Sequence, residues 1–434
     1  MTRRRDFLKW SVAGVAGGPA IIPSRAFGAN EKIVLGVVGL GSQGFHNLNA
    51  FLKQKEDCQV VAVCDVDRFH YREHTSRKGR ALGREPGKAA VDATNGDEGC
   101  AVYSDFRELC VRGDLDAVLV ATPDHWHALV ALQAIRSGKD VYCEKPVTHT
   151  FAEGEALLAA VEKHDAIFQT GSQQRSGREF RQAVNLVRNG VIGKVTSVEV
   201  GLPGGYREAK GSTEVESPPE NLDYDFWCGS SPVLPYMRAR HHRWWRGHTA
   251  YGGGTLMDWI GHHNDIAHWG LGADTGGPKT VEAVGWTKPG TPVYDGPADY
   301  EIRCQYPGEV SLVISSKIEG GTRWTGTDGW VWVNRGRIQA SNPEWLKPAF
   351  GPGEFRAYES PGHHQNFLEC IRSRRPCVAP AETAHRSITP GHLGFVSNRL
   401  GRPLQFDPEN RRIIGDREAQ GLLTKVDYRG DWKL

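Results

Sequence analysis

Lys32-Ile33-Val34-Leu35-Gly36-Val37-Val38-Gly39-Leu40-Gly41-Ser42-Gln43-Gly44 is the stretch whose reading decides the fold. Residues 32–39 are β-formers with no polar alternation, the pattern of a strand buried on both faces of a parallel sheet. Gly39 to Gly44 then fits G-x-G-x-x-G, and a helical stretch follows from 45 to about 54. A second apolar strand, 59–64, ends at Asp65. Each glycine has a physical task. Gly39 permits the tight turn, Gly41 lets a pyrophosphate approach the backbone, and Gly44 lets helix and strand pack closely. The N–H groups of Ser42 and Gln43 open the helix, whose positive dipole end suits phosphate. Asp65, 21 residues after Gly44, can accept hydrogen bonds from the adenosine ribose, which favours NAD over NADP. Strand, glycines, helix and acid together are a strong signal; the glycines alone would be weak.

Further along, 115–122 reads as another buried strand, followed by Thr122-Pro123-Asp124-His125-Trp126-His127 and a helix over 128–137. Gly138 ends that helix, and 140–143 is the next strand, followed by Glu144-Lys145-Pro146. Strands alternating with helices predict a doubly wound parallel sheet, with ligands beyond the strands' carboxyl ends. Thr122, Pro123, His127, Glu144 and Lys145 all fall there and are candidate cofactor contacts. His125 and His127 either meet the nicotinamide or substrate, or cap and pack.

With 434 residues, two or three domains are expected. Fifty-three Lys and Arg against 51 Asp and Glu leave a net charge of +2 and no basic stripe, so nucleic-acid binding has no electrostatic footprint. Nine cysteines occur with no C-x-x-C pair; Cys64 and Cys143 read as core, and Cys370 and Cys377 could pair in an oxidising compartment. Arg3, Arg4 and Arg5, an Ala/Gly/Val-rich run over 11–22, and Ala26-Phe27-Gly28 have the order of a cleavable secretory signal. Arg4-Arg5-Asp6-Phe7-Leu8-Lys9 looks like a twin-arginine motif, so 1–28 is expected to address the folded chain, cofactor aboard, to the periplasm through the twin-arginine export machinery. No stretch is long and apolar enough for a stable membrane span.

The chain resembles the Gfo/Idh/MocA oxidoreductases, the family of glucose–fructose oxidoreductase and inositol dehydrogenase. Three motifs carry the resemblance. They are the glycine fingerprint, Glu144-Lys145-Pro146, and Gly252-Gly253-Gly254-Thr255-Leu256-Met257-Asp258-Trp259-Ile260-Gly261-His262-His263-Asn264-Asp265. The resemblance implies an α/β Rossmann domain (30–150), an α+β substrate and oligomerisation domain with a large, mostly antiparallel sheet (151–340), and a C-terminal segment packing back on the core (341–434). It implies NAD, a sugar or polyol substrate, and homo-oligomers formed through the sheet. Lys145 would bridge cofactor and substrate, and Asp258 and His262 would flank the reacting hydroxyl, with His262 as general base. In a helix, Asp258 and His262 share one face. Ile260 stands where the family often has glycine.

Residues 224–269 hold Trp227, Trp244, Trp245, Trp259 and Trp269 among six histidines and four arginines. Flat aromatic faces suit sugar C–H faces, and guanidinium forks suit hydroxyls or carboxylates. His241, Trp244, Trp245 and His263 are candidate substrate contacts, with Trp227 as core. Arg175, after a strand over 166–170, joins them at the domain junction. His241–His242 and His262–His263 are neighbours rather than i, i+4 pairs, so no metal site is expected. Strands are expected at 194–201, 280–286, 300–306, 310–318 and 329–333, helices at 363–372 and 381–398, a loop at 343–358, and a weakly patterned charged tail after Phe406. A redox-neutral glycoside hydrolase or lyase, working through transient oxidation, is the alternative activity, and a cofactor-bound sugar sensor a third.

Overall fold

The computed structural model describes residues 31–73, 78–347, 350–351 and 353–434. The expected export signal, 1–28, lies outside them. Strand β1 (Ile33–Val38) is the continuously apolar run, five of its six residues fully buried. It lies between β2 (Cys58–Cys64) and β4 (Ala117–Val120); β3 (Ala101–Tyr103) flanks β2, and β5 (Asp140–Cys143) and β6 (Phe168–Thr170) continue beyond β4. All pairings are parallel, in the order β3-β2-β1-β4-β5-β6. The order reverses between β1 and β4, so the crevice for a ligand opens there. Helix α1 (Ser42–Leu52) leaves β1 through the glycines, and α2 (Asp124–Arg136) leaves β4.

The second sheet has nine strands. In chain order they are β7 (Val195–Gly201), β8 (Thr280–Ala283), β9 (Glu301–Tyr306), β10 (Val310–Ser315), β11 (Gly321–Gly326), β12 (Trp330–Asn334), β13 (Arg337–Ala340), β14 (Leu404–Asp407) and β15 (Arg412–Ile413). They lie in the order β13-β12-β11-β7-β10-β9-β8-β14-β15, antiparallel except for β7 beside β10. Helix α3 (Gly254–Leu271) packs on this sheet: Thr322 Oγ1 donates to His263 O at 2.7 Å. Gly270 abuts the Trp324 indole, where a Cβ would come within 2.6 Å.

The charged tail is more ordered than its composition suggested. Leu404 and Phe406 point inward while Gln405 points out, so β14 joins the sheet edge at β8. The sequence reading also missed β3, β11 and β13. The expected returning helices are His363–Ser373 and Ala381–Leu400. The first docks on the Rossmann domain, with Phe367 against Phe51 and Tyr142, and Arg372 Nη1 2.7 Å from Asp57 Oδ1. All nine cysteines are buried free thiols; Cys370 and Cys377 are in hydrogen-bond contact without a disulfide. No helix among the described residues is long and apolar enough to cross a membrane.

Candidate active site

A cleft of about 490 Å³ runs along the carboxyl edge of the parallel sheet. Its floor is the glycine loop. Gly39 has φ +90°, and a Cβ there would meet Ala121 C at 2.6 Å. A Cβ on Gly44 would lie 1.9 Å from Gly39 O, so helix and loop touch backbone to backbone. Gly41 has nothing within 4 Å of where a Cβ would stand, and its open side lines the cleft with Ser42 and Gln43. Asp65 lines it too. Its Oδ2 accepts from Leu40 N at 2.6 Å and its Oδ1 from Asp67 N at 2.9 Å, which fixes the carboxylate beside the turn. Burial raises its pKa against these two hydrogen bonds. A turn open at Gly41, a helix N-terminus and an acid at the next strand end fit a dinucleotide.

Glu144 directly follows β5 and organises the neighbouring floor. Its Oε1 accepts from Gln43 (3.1 Å), Asn47 (2.9 Å) and Gln173 (3.0 Å), all through side-chain amides. Gly171 makes room for it, since a Cβ there would lie 2.5 Å from Oε1. Lys145 reaches across to the other domain. Its Nζ donates to Asp258 Oδ1 at 2.6 Å and to Asp258 O at 2.8 Å. Arg246 Nε donates to the same Oδ1 at 3.1 Å, while its guanidinium stacks 4.3 Å over Trp245. Burial opposes charge on Asp258, but Lys145 and Arg246 overcome it and hold the carboxyl well below the usual range.

Asp258 and His262 do share one face of α3. Lys145, Asp258, Arg246, Trp244 and Trp245 line the cleft; His262, one turn on, is 7% exposed and lies behind it. Burial, then the cations Lys145 and Arg335, hold the His262 pKa well below its ordinary value, so the ring is neutral, and its Nδ1 has no hydrogen-bond partner. Asp124, the first residue of α2, also lines the cleft. Burial pushes its pKa up to about 7, Asp258 adding to the effect and Arg246 and Lys145 opposing it.

Thr122 and Pro123 line the cleft as expected. His127 does as well, but its ring is held between Pro146 O (2.7 Å) and Thr122 O (2.9 Å), joining two strand-end loops. His125 packs inside, between Tyr251 O and Trp227 O. Three expected substrate contacts do not reach the cleft, and their roles are corrected. Arg175 is 2% exposed and ion-paired with Asp265 (2.6 Å) and Asp274 (2.7 Å). His241 is buried with its edge to Trp227 at 4.5 Å. His263 is buried beside Trp259, and burial lowers its pKa to about 4. Sequence reasoning missed Arg246, Asp124 and Asn47. Arg246 stood among the insert's arginines with nothing to single it out. The fold also brings together Asp67, His70 and His242, whose donor atoms lie within 4.8 Å of one another.

A glycine turn, a strand-end acid and a lysine–aspartate pair spanning both domains define a two-domain dinucleotide oxidoreductase. Residues 33–172 match the family described as "Oxidoreductase family, NAD-binding Rossmann fold", and residues 176–319 and 322–434 match its "C-terminal alpha/beta domain". The chain belongs to the Gfo/Idh/MocA oxidoreductase family. It is similar to 2,7-anhydro-N-acetylneuraminate hydratase of Mediterraneibacter gnavus (30% identity over 37% of this chain and 36% of the relative). It is also similar to glycosyl hydrolase family 109 protein 1 of Shewanella sp. strain ANA-3 (30%, over 38% and 34%) and to myo-inositol 2-dehydrogenase of Thermotoga maritima (31%, over 37% and 42%). These matches span roughly a third to two-fifths of each relative. The fold is that of the aldose–aldose oxidoreductase of Caulobacter crescentus (TM-score 0.62, 20% identity, covering 87% of this chain and 100% of that one).

Proposed function

We propose that this chain transfers a hydride between NAD and a secondary hydroxyl of a sugar or cyclitol. The observation that carries the reading is Lys145 Nζ, held 2.6 Å from Asp258 Oδ1 in a cleft continuous with the glycine turn. The nicotinamide, when bound, accepts or returns the hydride. An ammonium has three donors. Two of those on Lys145 hold Asp258, which leaves a third for a substrate oxygen, where it favours developing alkoxide charge. Asp258 stays ionised and keeps the ammonium aimed. Trp244, Trp245 and Arg246 form the facing wall, suited to a sugar's C–H face and hydroxyls. His262, expected to accept the hydroxyl proton, is buried behind the cleft and does not line it, so that role is corrected.

Asp124 favours a second reading, a redox-neutral hydrolase or lyase. Elimination across adjacent carbons needs a group that holds and releases a proton near neutral pH, and a carboxyl at about 7 lining the cleft does so. The similarity to a glycosyl hydrolase family 109 protein supports it. The sequence of residues 1–28 supports export of the folded protein to the periplasm by the twin-arginine route, with NAD retained. The reading includes self-association through the nine-stranded sheet. Adding sugars and glycosides to the purified protein while following the reduced-nicotinamide band separates the activities. Reduction in proportion to substrate supports the dehydrogenase, and glycoside cleavage without net reduction the hydrolase.

A further inference from the structure

Three donor atoms from two domains converge beside the end of the cleft marked by Asp65. Asp67 belongs to the turn after β2, His70 to a short strand (His70–Tyr71) just beyond it, and His242 to the insert between β7 and α3. His70 Nδ1 and His242 Nε2 each lie 2.8 Å from Asp67 Oδ2, and the two imidazoles stack at 3.7 Å with 15° between their planes. Asp67 is 1% exposed. Both rings crowd this one oxygen at angles poor for hydrogen bonding, so Asp67 Oδ2 and His70 Nδ1 are buried without a well-formed hydrogen bond. Leaving a buried polar atom unpaired is costly, and an ion is one of the things that accounts for such an atom.

The other half of the Asp67 carboxylate is fully engaged. Its Oδ1 accepts from Phe69 N at 3.0 Å and from Asn221 Nδ2 at 2.7 Å, and Asn221 Nδ2 also reaches Phe69 O at 2.7 Å. These bonds turn Oδ2 toward the rings, as outer-shell partners orient a metal-ligating carboxylate. The nearby cation Arg238 is ion-paired with Glu73. His70 and His242 both line the cleft.

We propose that Asp67 Oδ2, His70 Nδ1 and His242 Nε2 bind a divalent late-transition-metal cation, with Zn²⁺ the best fit. Two imidazole nitrogens and one carboxylate oxygen suit Zn²⁺ better than Mg²⁺ or Ca²⁺, which take oxygen donors. Bonds of about 2.0–2.2 Å in a tetrahedron place donor atoms roughly 3.3 Å apart. The cation therefore widens the present 2.8 Å contacts by about half an ångström and swings the stacked rings apart. Because the ligands come from both domains, the metal clasps the insert onto the loop that follows the ribose-binding acid. The clasp does not depend on which reaction the cleft performs.

The test uses the full folded chain, stripped with a chelator and titrated with Zn²⁺ alone, the bound metal being counted by mass spectrometry. The wild type should take up one equivalent per chain. His70→Ala and His242→Ala should lose it, and Asn221→Ala should bind about 10–100-fold more weakly. Zn²⁺ should raise the thermal midpoint of the wild type, and Mg²⁺ should not. No stoichiometric uptake by the wild type, or equal uptake by both histidine variants, overturns the proposal. Should a variant fail to fold, Co²⁺ loading of the wild type decides. Visible bands of a tetrahedral nitrogen–oxygen site support the clasp, and the spectrum of hydrated Co²⁺ refutes it.

Discussion

Lys145 Nζ stands 2.6 Å from Asp258 Oδ1, and this pair joins the end of β5 to helix α3 of the other domain. Both side chains are largely buried, at 13% and 18% exposure, so their attraction is poorly screened. The pair fixes an ammonium at the meeting point of the cofactor cleft and the aromatic wall. Lys145→Ala should cut turnover by about 10²–10³-fold, the effect of removing one charged donor from a reacting oxygen. Arg246 still neutralises Asp258 in that variant, so the fold and the bound dinucleotide should persist. Steady-state rates and native mass spectrometry check the two halves.

The glycine loop gives a contrast within three residues. Gly44→Ala drives a methyl into Gly39 O and should destabilise the chain by roughly 1–3 kcal/mol, as overpacking does. Gly41→Ala meets no protein atom, so its thermal midpoint should match the wild type while dinucleotide affinity falls. Thermal melts beside dinucleotide titrations separate the two effects. Equal melting of both variants would count against the backbone contact.

Asp65 is tied to Leu40 N and Asp67 N as well as facing the cleft. Asp65→Ser should lower the preference for NAD over NADP by about tenfold or more, the worth of one ribose contact and one like-charge repulsion. The ratio of the two dissociation constants measures it, and an unchanged ratio would remove Asp65 from cofactor choice.

Asp124 titrates near 7 when folded and near 3.8 when exposed. The folded state therefore holds its proton more tightly. The stabilisation is complete below about pH 4 and is lost as pH rises through about 7. Asp124→Asn cannot lose that proton. The stability gap between wild type and Asp124→Asn should widen by about 1–4 kcal/mol between pH 4 and 8. Denaturant melts at both pH values measure it. If the redox-neutral reading holds, the same variant should also flatten the alkaline limb of the glycoside-cleavage profile.

Arg175 belongs to the interior, not the pocket. Arg175→Met leaves Asp265, which is 1% exposed, without its partner and should cost about 3–5 kcal/mol, the usual loss on breaking a buried pair. Dinucleotide affinity of the folded fraction should be unchanged. A selective loss of substrate affinity would restore Arg175 to the site.

The Rossmann half was legible because its signals are local. A strand buried on both faces is a continuous apolar run, and each glycine acts on a neighbour in the chain. Lys145 and Asp258 were legible through short motifs. What escaped depends on distant partners. Arg175 looks like a substrate ligand until Asp265 and Asp274 are seen closing around it. His242 looks like half of a histidine doublet until the segment carrying Asp67 and His70 folds against it. Strand β11 escaped because glycines close both its ends and one of its two inward side chains, Thr322, is polar, and β14 because only Leu404 and Phe406 mark it within a charged tail.

The most direct measurement follows the reduced-nicotinamide absorbance of the purified wild type and Lys145→Ala, each mixed rapidly with a panel of sugars, cyclitols and glycosides. At least one ligand should make the band rise in the wild type, lastingly or transiently, and the variant, with dinucleotide still bound, should stay dark. A band that rises equally in both proteins, or glycoside turnover with no reduction on any timescale, would contradict that expectation.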